Sequence, residues 1–203
     1  NKVFASRCRK LAKALESLGA EFGDRIGTLA WNDFRHMELY YAVSGAGMVC
    51  HTINPKLFPE QVAYIINHAD DKILFVDVLV VPLLEALQEH IKKVDCIVVL
   101  TDKAHMPDSC LENLVCYEEL LESQTDSYEW PLFDENTACG MCYTSGTTGN
   151  PKGVVYSHRS TVLHALAGAL PDVTGASNMQ TSLPVVPMFH VNAWGCLLYT
   201  SDA

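Results

Sequence analysis

An α/β fold, a mainly parallel sheet covered by helices, is the class this sequence predicts, and three observations predict it. Apolar runs of strand length alternate with helix-period patterns four times in the first hundred residues, as strand–helix–strand units do. Of the 203 residues, 49% are hydrophobic and 19% charged, the balance of a folded chain with a substantial core rather than a disordered one. A stretch rich in glycine and hydroxyls then lies between two further apolar runs, 138–143 and 154–156, where a connection between strands belongs.

Phe4, Cys8, Leu11, Leu15 and Leu18 share one helical face, and Gly19 is a natural stop. Residues 26–31 read as a short strand. Asn32 or Asp33 can cap a second helix, with Phe34, Met37 and Tyr41 on one side, running towards Gly45-Ala46-Gly47. Residues 48–53 read as a strand and Asn54-Pro55 as a turn. Pro59 suits the first position of a helix whose buried face is Val62, Ile65, Ile66 and Ala69. Strand 73–76, helix 83–91 and strand 96–100 follow.

Ten acidic residues, from Asp102 to Glu135, face the single Lys103 within residues 101–137, so this segment carries nearly all of the formal net charge of −10. It reads as a solvated excursion with a short helix at 117–121. The acidic balance argues against nucleic acid as a partner, because phosphate binding needs a basic face. Eight cysteines are scattered, several within apolar runs, and read as buried free thiols of a reducing, cytoplasmic setting. Cys139 and Cys142 form a CxxC without a second pair, on a strand where positions three apart face opposite ways. The longest apolar run, 73–84, is too short for a transmembrane segment. A start at Asn1 excludes no preceding targeting segment.

Chemistry concentrates in Tyr143-Thr144-Ser145-Gly146-Thr147-Thr148-Gly149-Asn150-Pro151-Lys152-Gly153. Its glycines let the backbone turn sharply and aim bare N–H groups at an anion. Thr144, Ser145, Thr147 and Thr148 supply hydroxyls for phosphate oxygens or a magnesium ion, and Lys152 supplies a mobile positive charge. It is not a Walker A loop, which ends in Gly-Lys-Ser/Thr; here Pro151 precedes Lys152 and Gly153 follows it. The plainer alternative is a turn-rich surface hairpin.

This loop, continued by Val154-Val155-Tyr156-Ser157-His158-Arg159-Ser160, resembles the AMP-binding signature of the adenylate-forming superfamily. Arg35-His36-Met37-Glu38-Leu39-Tyr40-Tyr41, the stretch from His51 to Gln61, and Pro187-Met188-Phe189-His190-Val191-Asn192-Ala193-Trp194-Gly195 are similar to its fatty-acyl-CoA ligases. The resemblance spans residues 2–195 and implies an incomplete large N-terminal domain of such an enzyme. Within it, 1–100 is the alternating half, 101–137 the acidic excursion and 138–195 the phosphate-loop and acyl-pocket segment, with 196–203 a doubtful tail.

The resemblance implies ATP, Mg2+ and coenzyme A, with a fatty or other carboxylic acid as substrate. The carboxylate attacks the α-phosphorus of ATP, and the thiol then displaces AMP from the acyl-adenylate. By position, Thr144 is the magnesium contact, while Ser145, Gly146, Thr147, Thr148, Gly149 and Lys152 hold the outer phosphates. His190, Val191 and Trp194 border the adenylate and acyl pocket. A neutral histidine there can donate to the reacting carboxylate, making His190 the catalytic candidate, and Trp194 can wall an apolar channel. His190 and Trp194 as simple core residues is the competing reading, and His158 and His164 read as packing or surface residues. Motifs for adenine and ribose, a hinge and a C-terminal lysine are expected beyond this sequence, so activity is expected of the parent enzyme rather than this fragment alone. A ligase for a short or methylthio-substituted propionate, a non-catalytic fragment that keeps only the phosphate loop, and a homodimeric assembly all stay open.

Overall fold

The computed structural model describes residues 2–144, 150–175, 177, 181, 183 and 185–190. Six helices and seven strands follow one another among them: α1 (Lys2–Ser17), β1 (Arg25–Leu29), α2 (Phe34–Gly45), β2 (Val49–Thr52), α3 (Pro59–Ala69), β3 (Asp71–Val76), α4 (Val81–Leu87), β4 (Cys96–Val99), β5 (Leu114–Cys116), α5 (Tyr117–Glu122), β6 (Ala138–Thr144), β7 (Lys152–Ser157) and α6 (His158–Gly168). The strands form one sheet in the order β5-β4-β3-β1-β2-β6-β7. Every neighbouring pair is parallel except β6 with β7. The expected α/β class, mainly parallel and covered by helices, is the observed one.

Alternation along the strands explains the layers. Ile26, Cys50, Phe75 and Val98 face one side and pack with Leu11 and Leu15 of α1 and Leu39 and Val43 of α2. Leu29, Ile53, Leu74, Val76 and Val99 face the other and pack with Val62, Ile66 and Leu84 of α3 and α4. Both faces are covered, so the central strands are buried on both sides: all four residues of β2, and all but the first of β1, are buried, polar Thr28, His51 and Thr52 among them.

Two helices end the same way. Gly19, at φ +82°, follows α1, with its N–H on the Glu16 carbonyl and that of Ala20 on Leu15. Gly47, at φ +81°, follows α2, with its N–H on Ser44 and that of Met48 on Val43. This paired 5→2 and 6→1 pattern needs a left-handed residue, hence glycine. At Gly47 a Cβ would also stand 2.5 Å from the Phe22 ring.

Three expectations change. The buried side of α2 is His36, Glu38, Leu39, Ala42 and Val43, not the side of Phe34, Met37 and Tyr41. Two buried polar residues disguised that face, and Phe34 is exposed. Helix 83–91 is instead α4 flanked by 3-10 turns at Val78–Val80 and Gln88–His90. Segment 101–137 is not wholly a surface excursion, for it contributes the edge strand β5 and the buried Tyr117 and Leu121.

Ion pairs anchor that segment. Glu38, almost fully buried, takes Arg7 Nε at 2.5 Å and the Tyr117 hydroxyl at 2.7 Å, and Glu118 takes both Arg7 and Arg35. A buried carboxylate is tolerated only when its oxygens are matched in this way. Eight of the ten acidic residues are nevertheless exposed, and β5 stands at the opposite edge of the sheet from β7, where Lys152 lies.

Candidate functional site

In a parallel sheet the loops after the strands gather at one edge, and crevices for ligands form there. β6 runs parallel to β2, so Thr144, its last residue, reaches this same edge. β7 then returns antiparallel, with Thr144 directly opposite Lys152 and Tyr143 opposite Gly153. Directly opposed residues project from the same face. The hydroxyl and the ammonium group assigned to phosphate chemistry are thus brought together at the mouth of the loop, and both residues are exposed. Ser145, Gly146, Thr147, Thr148 and Gly149 lie outside the described residues.

The loop has a buried footing. Tyr143 sets its ring 5.3 Å from that of His51 and 5.8 Å from that of His68, whose Nδ1 is 2.6 Å from the Tyr143 hydroxyl. Across the hairpin, a Cβ on Gly153 would stand 3.2 Å from the Tyr143 ring, so the glycine makes room for it. Burial pushes the Tyr143 hydroxyl up to about 12. Below the ring, His51 Nδ1 lies 2.8 and 2.9 Å from the two oxygens of Asp71, with both side chains fully buried. Burial raises the Asp71 carboxyl above the usual range despite the histidine. His51 Nε2 is buried with no hydrogen-bond partner among the described residues.

The second assembly stands at the carboxyl end of β1. Asn32 Nδ2 donates to the Val186 carbonyl at 3.2 Å, and Asn32 Oδ1 accepts from the Met188 N–H at 2.7 Å. The Tyr40 hydroxyl donates to the Met188 carbonyl at 2.5 Å. Trp31 meets Phe189 edge-on at 5.4 Å, and Lys56 Nζ lies 5.3 Å from the same indole. His190 is exposed at the end of this segment, its N–H on the Pro187 carbonyl. Val191 and Trp194 lie outside the described residues.

Beneath Trp31, His36 is fully buried between two partners. Nδ1 lies 2.9 Å from the Trp31 carbonyl, which can only accept, so Nδ1 carries the proton and Nε2 accepts from the Thr28 hydroxyl at 3.0 Å. Burial lowers the His36 pKa to about 4 and keeps the ring neutral.

The sequence singled out Thr144, Lys152 and His190, which the structure places at the loop mouth and at the end of the 186–190 segment, but it did not point to the residues packed around them. Asn32 was readable only as a helix cap. The cap residue of α2 is Asp33, which makes no side-chain capping bond, while the Asn32 amide binds a segment more than 150 residues away. No local pattern announces the His51–Asp71 pair either, since His51 lies within β2 and Asp71 opens β3, 20 residues further on. The thiols of Cys139 and Cys142 are buried and both pushed up by that burial. His158 is partly buried against Phe133, and His164 is exposed. Among the described residues there is no group of three metal-binding side chains and no helix long and apolar enough to cross a membrane.

Comparison with known proteins adds to this geometry. The sequence pattern of the AMP-binding enzyme family matches residues 2–201. The chain is 55% identical over 191 residues to a 3-methylmercaptopropionyl-CoA ligase of Ruegeria lacuscaerulensis, covering 94% of this chain and 35% of that protein. It is 53% identical over 189 residues to a medium-chain-fatty-acid–CoA ligase of Ectopseudomonas oleovorans, covering 93% and 35%. The chain therefore spans about a third of the length of these relatives. Its fold superposes with a TM-score of 0.83 on an anthranilate CoA ligase in complex with anthranoyl-AMP, at 22% identity, covering 92% of this chain and 35% of that one.

Proposed function

This chain belongs to the AMP-binding enzyme family, and on that premise we propose that its full-length protein activates a fatty or related carboxylic acid with ATP. The acid becomes an acyl-adenylate and then an acyl-CoA thioester. The observation that carries this reading is the cross-strand pair Thr144–Lys152, a hydroxyl and a cation on one face at the two ends of a glycine-rich loop.

The first step expels pyrophosphate, whose growing negative charge must be held. Lys152 provides a positive charge for it, and the loop amides and the hydroxyls of Ser145, Thr147 and Thr148 provide donors. Thr144 fits a magnesium contact, since it is exposed at the loop mouth and pairs with Lys152 across the hairpin. Mg2+ bound there would supply charge neutralisation of the phosphates. The footing of Tyr143 on His68 and on His51 fixes the direction in which the chain enters the loop. A positioned donor does not have to reorganise when charge develops, which is where such sites gain their effect.

His190, with Val191 and Trp194, is assigned to the adenylate and acyl side. His190 donates a hydrogen bond to the reacting carboxylate, and Trp194 walls the chain of the acid. The second step requires coenzyme A. Relatives of nearly equal identity act, by name, on a medium-chain fatty acid and on a methylthio-substituted propionate, so the short acid is a second reading of the same site. The domain divisions given above, a cytoplasmic setting and a homodimer belong to the same proposal.

The test uses the full-length protein: acid-dependent exchange of labelled pyrophosphate into ATP, then thioester formation, with acids from methylthiopropionate to long-chain fatty acids. Exchange that peaks at one length, followed by a CoA thioester, is expected. ATP-binding without exchange on any acid would leave only a phosphate-binding remnant and sink the proposal.

A further inference from the structure

We infer that Asn32 is a positioning residue, whose amide holds residues 186–190 against the carboxyl end of β1 and so sets where His190 stands for adenylate formation. The inference rests on the proposal that His190 serves the reacting carboxylate.

One planar side chain makes both bonds. Asn32 Nδ2 donates to Val186 and Oδ1 accepts from Met188, two residues further on. An extended backbone presents a carbonyl and an N–H at this spacing, and a primary amide matches them with a donor and an acceptor in one plane. Tyr40 holds the Met188 carbonyl and Trp31 packs on Phe189, so consecutive residues are gripped from α2 and from the end of β1. Because the His190 N–H is bonded to the Pro187 carbonyl, a shift of the gripped residues is passed on within one turn.

The base of the clamp is itself fixed. Thr28 of β1 bonds His36, and His36 bonds the Trp31 carbonyl, one residue before Asn32. The bend that aims the Asn32 amide is therefore tied to the core of the sheet. Asn32 is exposed, whereas a residue retained only for packing would be buried.

The experiment uses the full-length enzyme with Asn32→Ala, Asn32→Asp, His190→Ala and the double variant Asn32→Ala/His190→Ala. The aspartate keeps the shape and the acceptor but loses the donor to Val186, and it carries the test if the alanine variant does not fold. Hydrogen exchange of the peptide spanning 186–190 should speed up at Met188 in Asn32→Ala. Single-turnover acyl-adenylate formation should slow by about 10-fold, the effect of losing two hydrogen bonds, with KM for ATP unchanged. In the His190→Ala background the same change should slow the step by less than about 2-fold, because a residue acting through another loses its effect when that other is gone. Unchanged exchange at Met188 would remove the clamp. Additive effects in the double variant, or full activity in His190→Ala, would overturn positioning through His190. Exchange is read without any reaction, so a wild-type enzyme that forms no acyl-adenylate would sink the functional proposal while the clamp is still decided.

Discussion

The Tyr143 hydroxyl lies 2.6 Å from Nδ1 of His68, so the residue that leads into the glycine-rich loop is tied to α3 across 75 positions of sequence. Gly153 leaves room for the Tyr143 ring, where an added Cβ would approach to 3.2 Å. Gly153→Ala should push the ring aside by a few tenths of an ångström and disturb the loop's exit from β6. The expected outcome is a several-fold rise in KM for ATP with KM for the acid unchanged. Equal changes in both constants would mean that Tyr143 supports the fold rather than the loop.

Lys152→Ala and Thr144→Ala should each slow acyl-adenylate formation by about 10²–10³-fold, roughly 3–4 kcal/mol, as for other single charge-stabilising groups. Thioester formation from preformed adenylate should hardly change, because pyrophosphate has left before the thiol attacks. Single-turnover kinetics of the two half-reactions measures this. Equal impairment of both would show that the pair does not act on pyrophosphate.

Trp194→Ala tests the acyl side. Removing an apolar wall changes selectivity by roughly 1–3 kcal/mol per methylene-sized contact, so the order of kcat/KM among acids of different length should shift. An unchanged order would return Trp194 to a packing role.

His36 gives a pH dependence of stability. Its folded pKa, about 4, lies below its unfolded value near 6.5. Between these values the unfolded chain binds a proton that the folded one does not, so stability falls as pH drops through this window. The full shift corresponds to about 3 kcal/mol. Asp71, raised by burial, contributes in the opposite direction above the ordinary carboxylate range, so the informative quantity is a difference between proteins. Urea unfolding of wild type and His36→Gln at pH 7.5 and pH 4.5 should show wild type losing more stability on acidification. An identical loss in both would mean that His36 is not the group responsible.

Much of this molecule was legible in one dimension. Periodicity placed β1 to β4, α1 and α3 because burial on two faces of a parallel sheet writes continuous apolar runs, and helices against it write a regular face. The loop from Tyr143 to Gly153 stood out in the sequence because glycines, hydroxyls and a lysine concentrate there, and it led to the phosphate-binding proposal. What the sequence could not disclose is every interaction between distant residues. β5 was hidden in an acidic stretch because an edge strand needs few apolar positions, and the buried side of α2 was hidden by His36 and Glu38, whose partners Thr28, Arg7 and Tyr117 are far from α2 or on other elements. Asn32 looks like any helix cap until the fold brings Val186 and Met188 to it. Apolar burial is nearly additive and can be read residue by residue. Hydrogen bonds are directional and pairwise, and only the tertiary structure decides which donor meets which acceptor.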